Sequence, residues 1–227
     1  MTKLAIVGHD GIDIALYAAL ALNRIGEKTI VVDRSSDLRL METVDIPVNL
    51  RERTATEYSD IHIFSEGSEH EDNDTVHIIY YYGTNTDSAS INECDGIIFN
   101  TDMKTEHVKR IAKVDVPVAV SETKKEGKKT VEEKYIDKNV RLVITHFISA
   151  RYGKEFILDL FEKPIKDKEV IILPYNEADY RLRLSIGNGR LRLGKLSADY
   201  RALINDLLEN FFKINVDKKL IKKIYVK

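Results

Sequence analysis

The sequence predicts an α/β fold, a mainly parallel sheet covered by helices on both faces. Three observations carry this. Short, continuous apolar runs recur along the chain: Leu4-Ala5-Ile6-Val7, Thr29-Ile30-Val31-Val32, Gly96-Ile97-Ile98-Phe99 and Val170-Ile171-Ile172-Leu173. Such runs suit strands covered on both faces, as in a parallel sheet. Segments of helical character alternate with them. Finally, Leu4 to Asp33 reads as strand, glycine-containing turn, helix and strand, the parts of a right-handed crossover.

Each element has a local reason. Ile14 to Ile25 is rich in Ala and Leu, both strong helix formers, and Gly26 supplies the stop. Thr29 to Val32 is the second strand, ending at Asp33. The chain then becomes polar and irregular through Arg53, where Pro47 opposes a continuous helix or central strand. Asp60 to Phe64 alternates, the acidic stretch Glu66 to Asp74 follows, and Thr75 to Tyr82 is strongly β-prone. The two flanking runs are expected to pair as a β-hairpin insertion around residues 60–82.

From Gly96 the alternation of strands and helices resumes. Strands are expected at 96–99, 116–120, 141–145 and 170–173, and helices over Met103 to Val114 and Lys154 to Phe161. Lys124 to Tyr135 reads as a charged, exposed segment. Ala198 to Phe212 is an amphipathic helix with Ser197 as N-cap. The segment Arg181 to Leu193 admits two readings. Its period-two alternation around Gly187-Asn188-Gly189 fits a hairpin, whereas a helix over 177–186 stopped by the same glycines is the rival.

Composition bounds the function. The 227 residues, 43% hydrophobic, form one domain spanning 1–227, with 213–227 as a basic C-terminal tail. A net charge of −2 argues against polyanion binding by the molecule as a whole. The one cysteine, Cys94, excludes a disulfide scaffold and fits a reducing compartment. No signal pattern precedes the first strand, and no apolar run approaches the ~18 residues that span a bilayer. A cytoplasmic protein is expected. From Arg181 onward, however, twelve Lys and Arg face four Asp and Glu, a local balance of +8. Arg190, Arg192, Lys195, Lys218, Lys219, Lys222 and Lys223 are the candidate surface for DNA, an anionic membrane or a protein partner.

The candidate site is the turn Gly8-His9-Asp10-Gly11-Ile12-Asp13, which aims a helix N-terminus at whatever binds there. His9, Asp10 and Asp13 invite a cation reading. Carboxylates at a helix N-terminus more commonly cap it, and capping is the reading kept, with no metal expected. Asp33 at the end of the second strand fits a ribose hydroxyl in a dinucleotide site. But GHDGID keeps only the first glycine of GxGxxG, which leaves a dinucleotide-dependent oxidoreductase poorly supported.

Three stretches resemble the ParA/MinD family of deviant-Walker P-loop ATPases, which position DNA, division proteins or secretion machinery. ALYAALALNRIGEKTIVVD resembles the family's first helix and second strand. CDGIIFNTDMKTEHVKRI resembles the segment after its second switch region. VIILPYNEADYRLRLSIGNGRLRLGKLSADYRALINDLLENFF resembles the closing strand, the Pro-x-(Asn/Asp) loop at Pro174, and two final helices. The resemblance favours the helix over residues 177–186 and implies a homodimer formed across the nucleotide face.

The departures from the family are as informative. A Walker loop needs glycines for close approach, a Lys on the phosphates and a Ser or Thr on Mg²⁺. In register, the family's KGGVGKTT falls on Ile6 to Asp13. Gly8 is retained, but Gly11 stands for the catalytic Lys, Ile12 for the magnesium ligand and Ile6 for the signature Lys. Tyr81 stands near the family's water-orienting Asp, and alternate rings of Tyr80-Tyr81-Tyr82 face opposite sides of the sheet, where one or two either fill vacated volume or simply pack the core. Two like charges ~4 Å apart repel by about 4 kcal/mol at an effective dielectric near 20, so Asp10 and Asp13 disfavour a triphosphate.

The expectation is therefore a pseudo-ATPase with no cofactor. It would act as a localisation or scaffold module through protein contacts, in the manner of the atypical TadZ members that place pilus or secretion assemblies. Recruitment to membrane or nucleoid would follow from its partners or its basic end. The alternative is a nucleotide switch that still binds ATP or ADP with Mg.

Overall fold

The opening strand, β1 (Thr2–Gly8), lies in the middle of an eight-stranded sheet. The structure, a computed structural model, describes residues 1–44, 54–68, 77–123, 131–148 and 153–226. In chain order the strands are β1, β2 (Thr29–Asp33), β3 (Ala55–Tyr58), β4 (Ile61–Ser65), β5 (His77–Gly83), β6 (Gly96–Thr101), β7 (Val118–Thr123), β8 (Val131–Ile136), β9 (Asn139–Phe147) and β10 (Val170–Pro174). The sheet order is β10-β9-β6-β1-β5-β2-β4-β3, and every neighbouring pair is parallel except β3 with β4. A mainly parallel sheet is thus the observed architecture.

The helices are α1 (Ile12–Ile25), α2 (Arg39–Val44), α3 (Ser88–Asn92), α4 (Thr105–Ala112), α5 (Lys154–Phe161), α6 (Glu177–Leu184), α7 (Ala198–Asn210) and α8 (Lys218–Tyr225). They cover both sheet faces. On one face α1 is buried at every position from Asp13 to Leu22, because α7 and α8 lie over it. A helix apolar all round needs such cover. Gly26 ends it in the left-handed conformation, φ 101°, with its N–H donating to the Asn23 carbonyl. On the other face α4 and α5 close a second core around Val7, Phe99, Leu142 and Phe161.

Three expectations change. The hairpin around residues 60–82 does not form as drawn. β5 is buried at all seven positions and inserts between β1 and β2, parallel to both. A run that is apolar on both faces needs cover on both, which only a central position gives. β4 pairs with β2 instead, and the hairpin partner of β4 is β3, joined to it at Ser59 and Asp60. Second, the strand near 116–120 (β7) leaves the main sheet and forms a two-stranded ribbon with β8. Third, α2 falls within a stretch read as irregular. The helix that the resemblance favours over residues 177–186 does form, over 177–184, with the Asn176 side chain accepting from the amides of Ala178 and Asp179, and Gly187 beyond in the left-handed region at φ 88°. The hairpin reading of 181–193 is thereby excluded. Pro47, the acidic residues 69–74 and the lysines at 124–129 lie outside the described residues.

Candidate functional site at the turn between β1 and α1

β1 ends at Gly8, and His9, Asp10 and Gly11 form the turn into α1. The backbone comes very close to β6 here. Gly8 has φ 131°, and a Cβ on it would stand 1.8 Å from the Asn100 carbonyl oxygen. A Cβ on Gly11 would stand 2.9 Å from Ile6 Cγ2. Asn100, fully buried at the end of β6, donates from Nδ2 to the His9 carbonyl at 2.6 Å. Gly8 is therefore required for the turn to lie against β6, and Gly11 for it to close over Ile6 of β1.

The side chains of the turn are held by other elements. The His9 ring stacks on His107 of α4, centroids 4.0 Å apart and planes 9° apart. His107 Nδ1 lies 2.8 Å from Asp102 Oδ1, and His9 Nδ1 lies 2.9 Å from Asp10 Oδ2. Burial holds the His9 pKa below the usual histidine range, although Asp10 opposes the shift. Asp10 adopts a left-handed conformation, φ 67°, and pairs with Arg183 of α6, Nη2 to Oδ2 at 2.7 Å. Burial would raise the Asp10 pKa, but Arg183 and His9 outweigh it and bring it below the ordinary carboxylate value.

Asp13 differs. It is buried, its Oδ1 accepts from the amide of Ile14, and its carboxyl faces the buried Tyr200 hydroxyl. Burial raises its pKa despite Arg183 and Tyr200. Burial also opposes the charge on Arg183, yet the carboxylates of Asp13 and Asp10 more than offset this and raise its pKa. The capping expectation holds in part: the N-cap of α1 is Gly11, which has no side chain to offer, but Asp13 in the first turn accepts from the Ile14 amide, whereas Asp10 turns away to Arg183. Both carboxylates also face the Arg183 charge.

Asp13 also lines a small cavity with Pro174, His146, Asn176, Arg183 and Tyr200. Its volume is about 20 Å³, room for a water molecule. The sequence-selected turn and the Pro174 loop therefore meet in space. Ile12 packs partly buried against the core. Tyr81 is fully buried on the α1 side of the sheet, while Tyr80 and Tyr82 point to the other side around Arg34, whose guanidinium lies 4.0 Å from the Tyr80 ring centroid. Asp33 is committed to its own backbone: Oδ1 accepts from the Ser35 amide at 3.0 Å and Oδ2 from the Met41 amide at 3.0 Å. That use competes with a ribose hydroxyl.

By sequence, the chain matches no protein-family profile and no curated protein. Its structure matches solved ones closely along their length. A chain of the MinC:MinD cell division protein complex of Aquifex aeolicus matches with a TM-score of 0.59 at 12% identity, covering 96% of this chain and 98% of that one. A ParA family ATPase from Chlorobium tepidum TLS gives 0.57 at 14% identity, covering 91% and 98%. A plasmid partition protein from Borrelia burgdorferi B31, bound to AMPPNP, gives 0.53 at 13% identity, covering 94% and 99%. This chain has the fold of the ParA and MinD ATPases. Identities this low make the likeness one of fold.

Within that ParA/MinD-like fold the basic residues fall into two groups. Arg190, Arg192 and Lys195 are exposed on the segment after α6, and Lys218, Lys219, Lys222 and Lys223 are exposed on α8. No described helix is long and apolar enough to cross a membrane. Sequence reasoning missed Arg183, Asn100, His107, His146 and Tyr200. Arg183 was visible only as one cation in RLRLSI, and nothing local to the others marks them as neighbours of the turn.

Proposed function

We propose that this protein positions or partitions an assembly through protein contacts and performs no phosphoryl transfer. The observation that supports this is the Arg183–Asp10 pair at the start of α1. The chain's own guanidinium neutralises the turn, and a buried carboxyl, Asp13, lies behind it. From Gly8 to Asp13 there is no Lys, Ser or Thr to meet phosphates or Mg²⁺. The MinC:MinD complex and the plasmid partition protein of the same fold support a positioning role. A homodimer across this face, a cytoplasmic location and recruitment to membrane or nucleoid belong to the same reading, as does a TadZ-like task at a pilus or secretion assembly.

One observation favours a second reading, a nucleotide switch: the N-cap of α1 is a glycine with no side chain to bond, which leaves the amides ahead of Ile14 for an anion. The Borrelia protein binds AMPPNP on the same fold. Calorimetric titration with Mg·ATP and Mg·ADP, alongside phosphate release, separates the two. We expect neither saturable heat nor release above a buffer control. Saturable binding without turnover would establish the switch, and hydrolysis would overturn the proposal.

A further inference from the structure

Among the described α-helices, α6 is the one without a buried residue. It is not polar all round, as a solvent-facing helix would be. Tyr180 is 37% exposed and Leu184 61% exposed, and Tyr175 just before the helix is 49% exposed. On the other flank of α6 a groove of about 320 Å³ runs between the helix and the tight turn Leu193–Lys195. Ala178 and Leu182 give it an apolar floor, and Arg181, Arg192 and Lys195 form its rim. Arg181 pairs with Glu177 along the helix at 2.5 Å. Arg192 and Lys195 have no ion-pair partner among the described residues.

We infer that this groove docks an acidic, amphipathic segment of a partner protein. An apolar side chain of the partner seats on Ala178 and Leu182, and its carboxylates meet Arg192 and Lys195. Charge complementarity selects the sign of the occupant, and the apolar floor selects its class. A phosphate backbone gains nothing from Leu182 and would meet Glu177 and Asp179 on the same helix. Exposed Tyr is the side chain that partner surfaces favour, and the rim cations set encounter rate and salt dependence. This inference rests on the protein-contact reading above and names the chemistry of the contact.

The test uses the full chain and a short labelled peptide with Leu at i, i+3, i+4 and i+7 and Glu between. Its Lys-for-Glu counterpart and a single-stranded oligonucleotide serve as comparisons, with anisotropy read at low and raised salt. The acidic peptide should bind and the basic one should not, and salt should weaken binding. R192E/K195E, and separately Ala178→Glu, should each cost about tenfold or more in affinity. These positions are exposed, so circular dichroism should be unchanged. K218E/K219E on α8 should leave the affinity within about twofold. Absence of peptide binding, tighter binding of the oligonucleotide, or self-association abolished by R192E/K195E would each overturn the inference. Phosphate release is measured on the same sample: turnover there would remove the non-catalytic reading and leave the groove standing.

Discussion

Asp10 and Asp13 lie three residues apart, one before α1 and one in its first turn, and respond oppositely to their surroundings. Asp10, paired with Arg183, has its pKa held down, so its stabilisation is present above the unfolded carboxylate pKa and lost as pH falls through the folded value. Asp13, buried, has its pKa held up, so its ionised form opposes folding at neutral pH and the penalty disappears on protonation. Asp10→Asn should therefore lose about 1–3 kcal/mol at neutral pH, the usual worth of a charge-assisted bond, with the difference from the parent closing below about pH 4. Asp13→Asn should do the reverse, raising the urea midpoint at neutral pH and converging with the parent as acid protonates the native carboxyl. Equal effects of the two substitutions would refute the assignment. Here the sequence was only half legible. It exposed two carboxylates at a helix N-terminus, but their partner Arg183 comes from α6, far along the chain, and spacing carries no trace of that contact.

At the scale of elements, legibility followed cover. The runs forming β1, β2, β6 and β10 were readable because apolar residues on consecutive positions demand two covered faces. β5 satisfies the same rule, yet its nearness in sequence to β4 suggested a hairpin, and only its burial on both faces reveals a central strand. β7 shows the opposite failure: a strand-like run that pairs outside the sheet, where Val118 and Val120 remain exposed. The retained Gly8 is the instructive case. In sequence it reads as a remnant of a phosphate loop, whereas in space it is required by the contact of β1 with β6. Gly8→Ala combines a left-handed backbone with a Cβ 1.8 Å from the Asn100 carbonyl oxygen. Strain and overpacking each cost about 1–3 kcal/mol, so a loss of at least about 2 kcal/mol in urea unfolding is expected. A near-neutral result would mean that the turn relaxes easily and that Gly8 is not held there by β6.

For the whole molecule, the open question is whether residues 213–227 are a tail or a part of the body. Their charge pattern suggests a detachable anchor, but the apolar side of α8 is already in use. Ile224 and Tyr225 are buried, α8 packs on α1, and the Arg24 guanidinium donates to the Ile224 carbonyl. The Tyr225 hydroxyl donates to Asn205 Oδ1 at 2.9 Å, and Lys223 Nζ donates to the Ile25 carbonyl at 2.9 Å. Inserting α8 into a bilayer would first uncover α1, the helix on which one whole face of the sheet depends. Lysines 218, 219, 222 and 223 remain outside and accessible, so anionic surfaces can be met without unpacking the helix. A chain ending at residue 217 should then be destabilised. Burying an aliphatic side chain such as Ile224 contributes about 1.5–3 kcal/mol, and the Tyr225 ring adds to that. A detachable anchor predicts an unchanged urea midpoint. A midpoint lowered by several kcal/mol equivalents, with salt-sensitive liposome binding in the full chain, would instead make α8 a structural helix whose charges, and not its apolar face, are available to a partner.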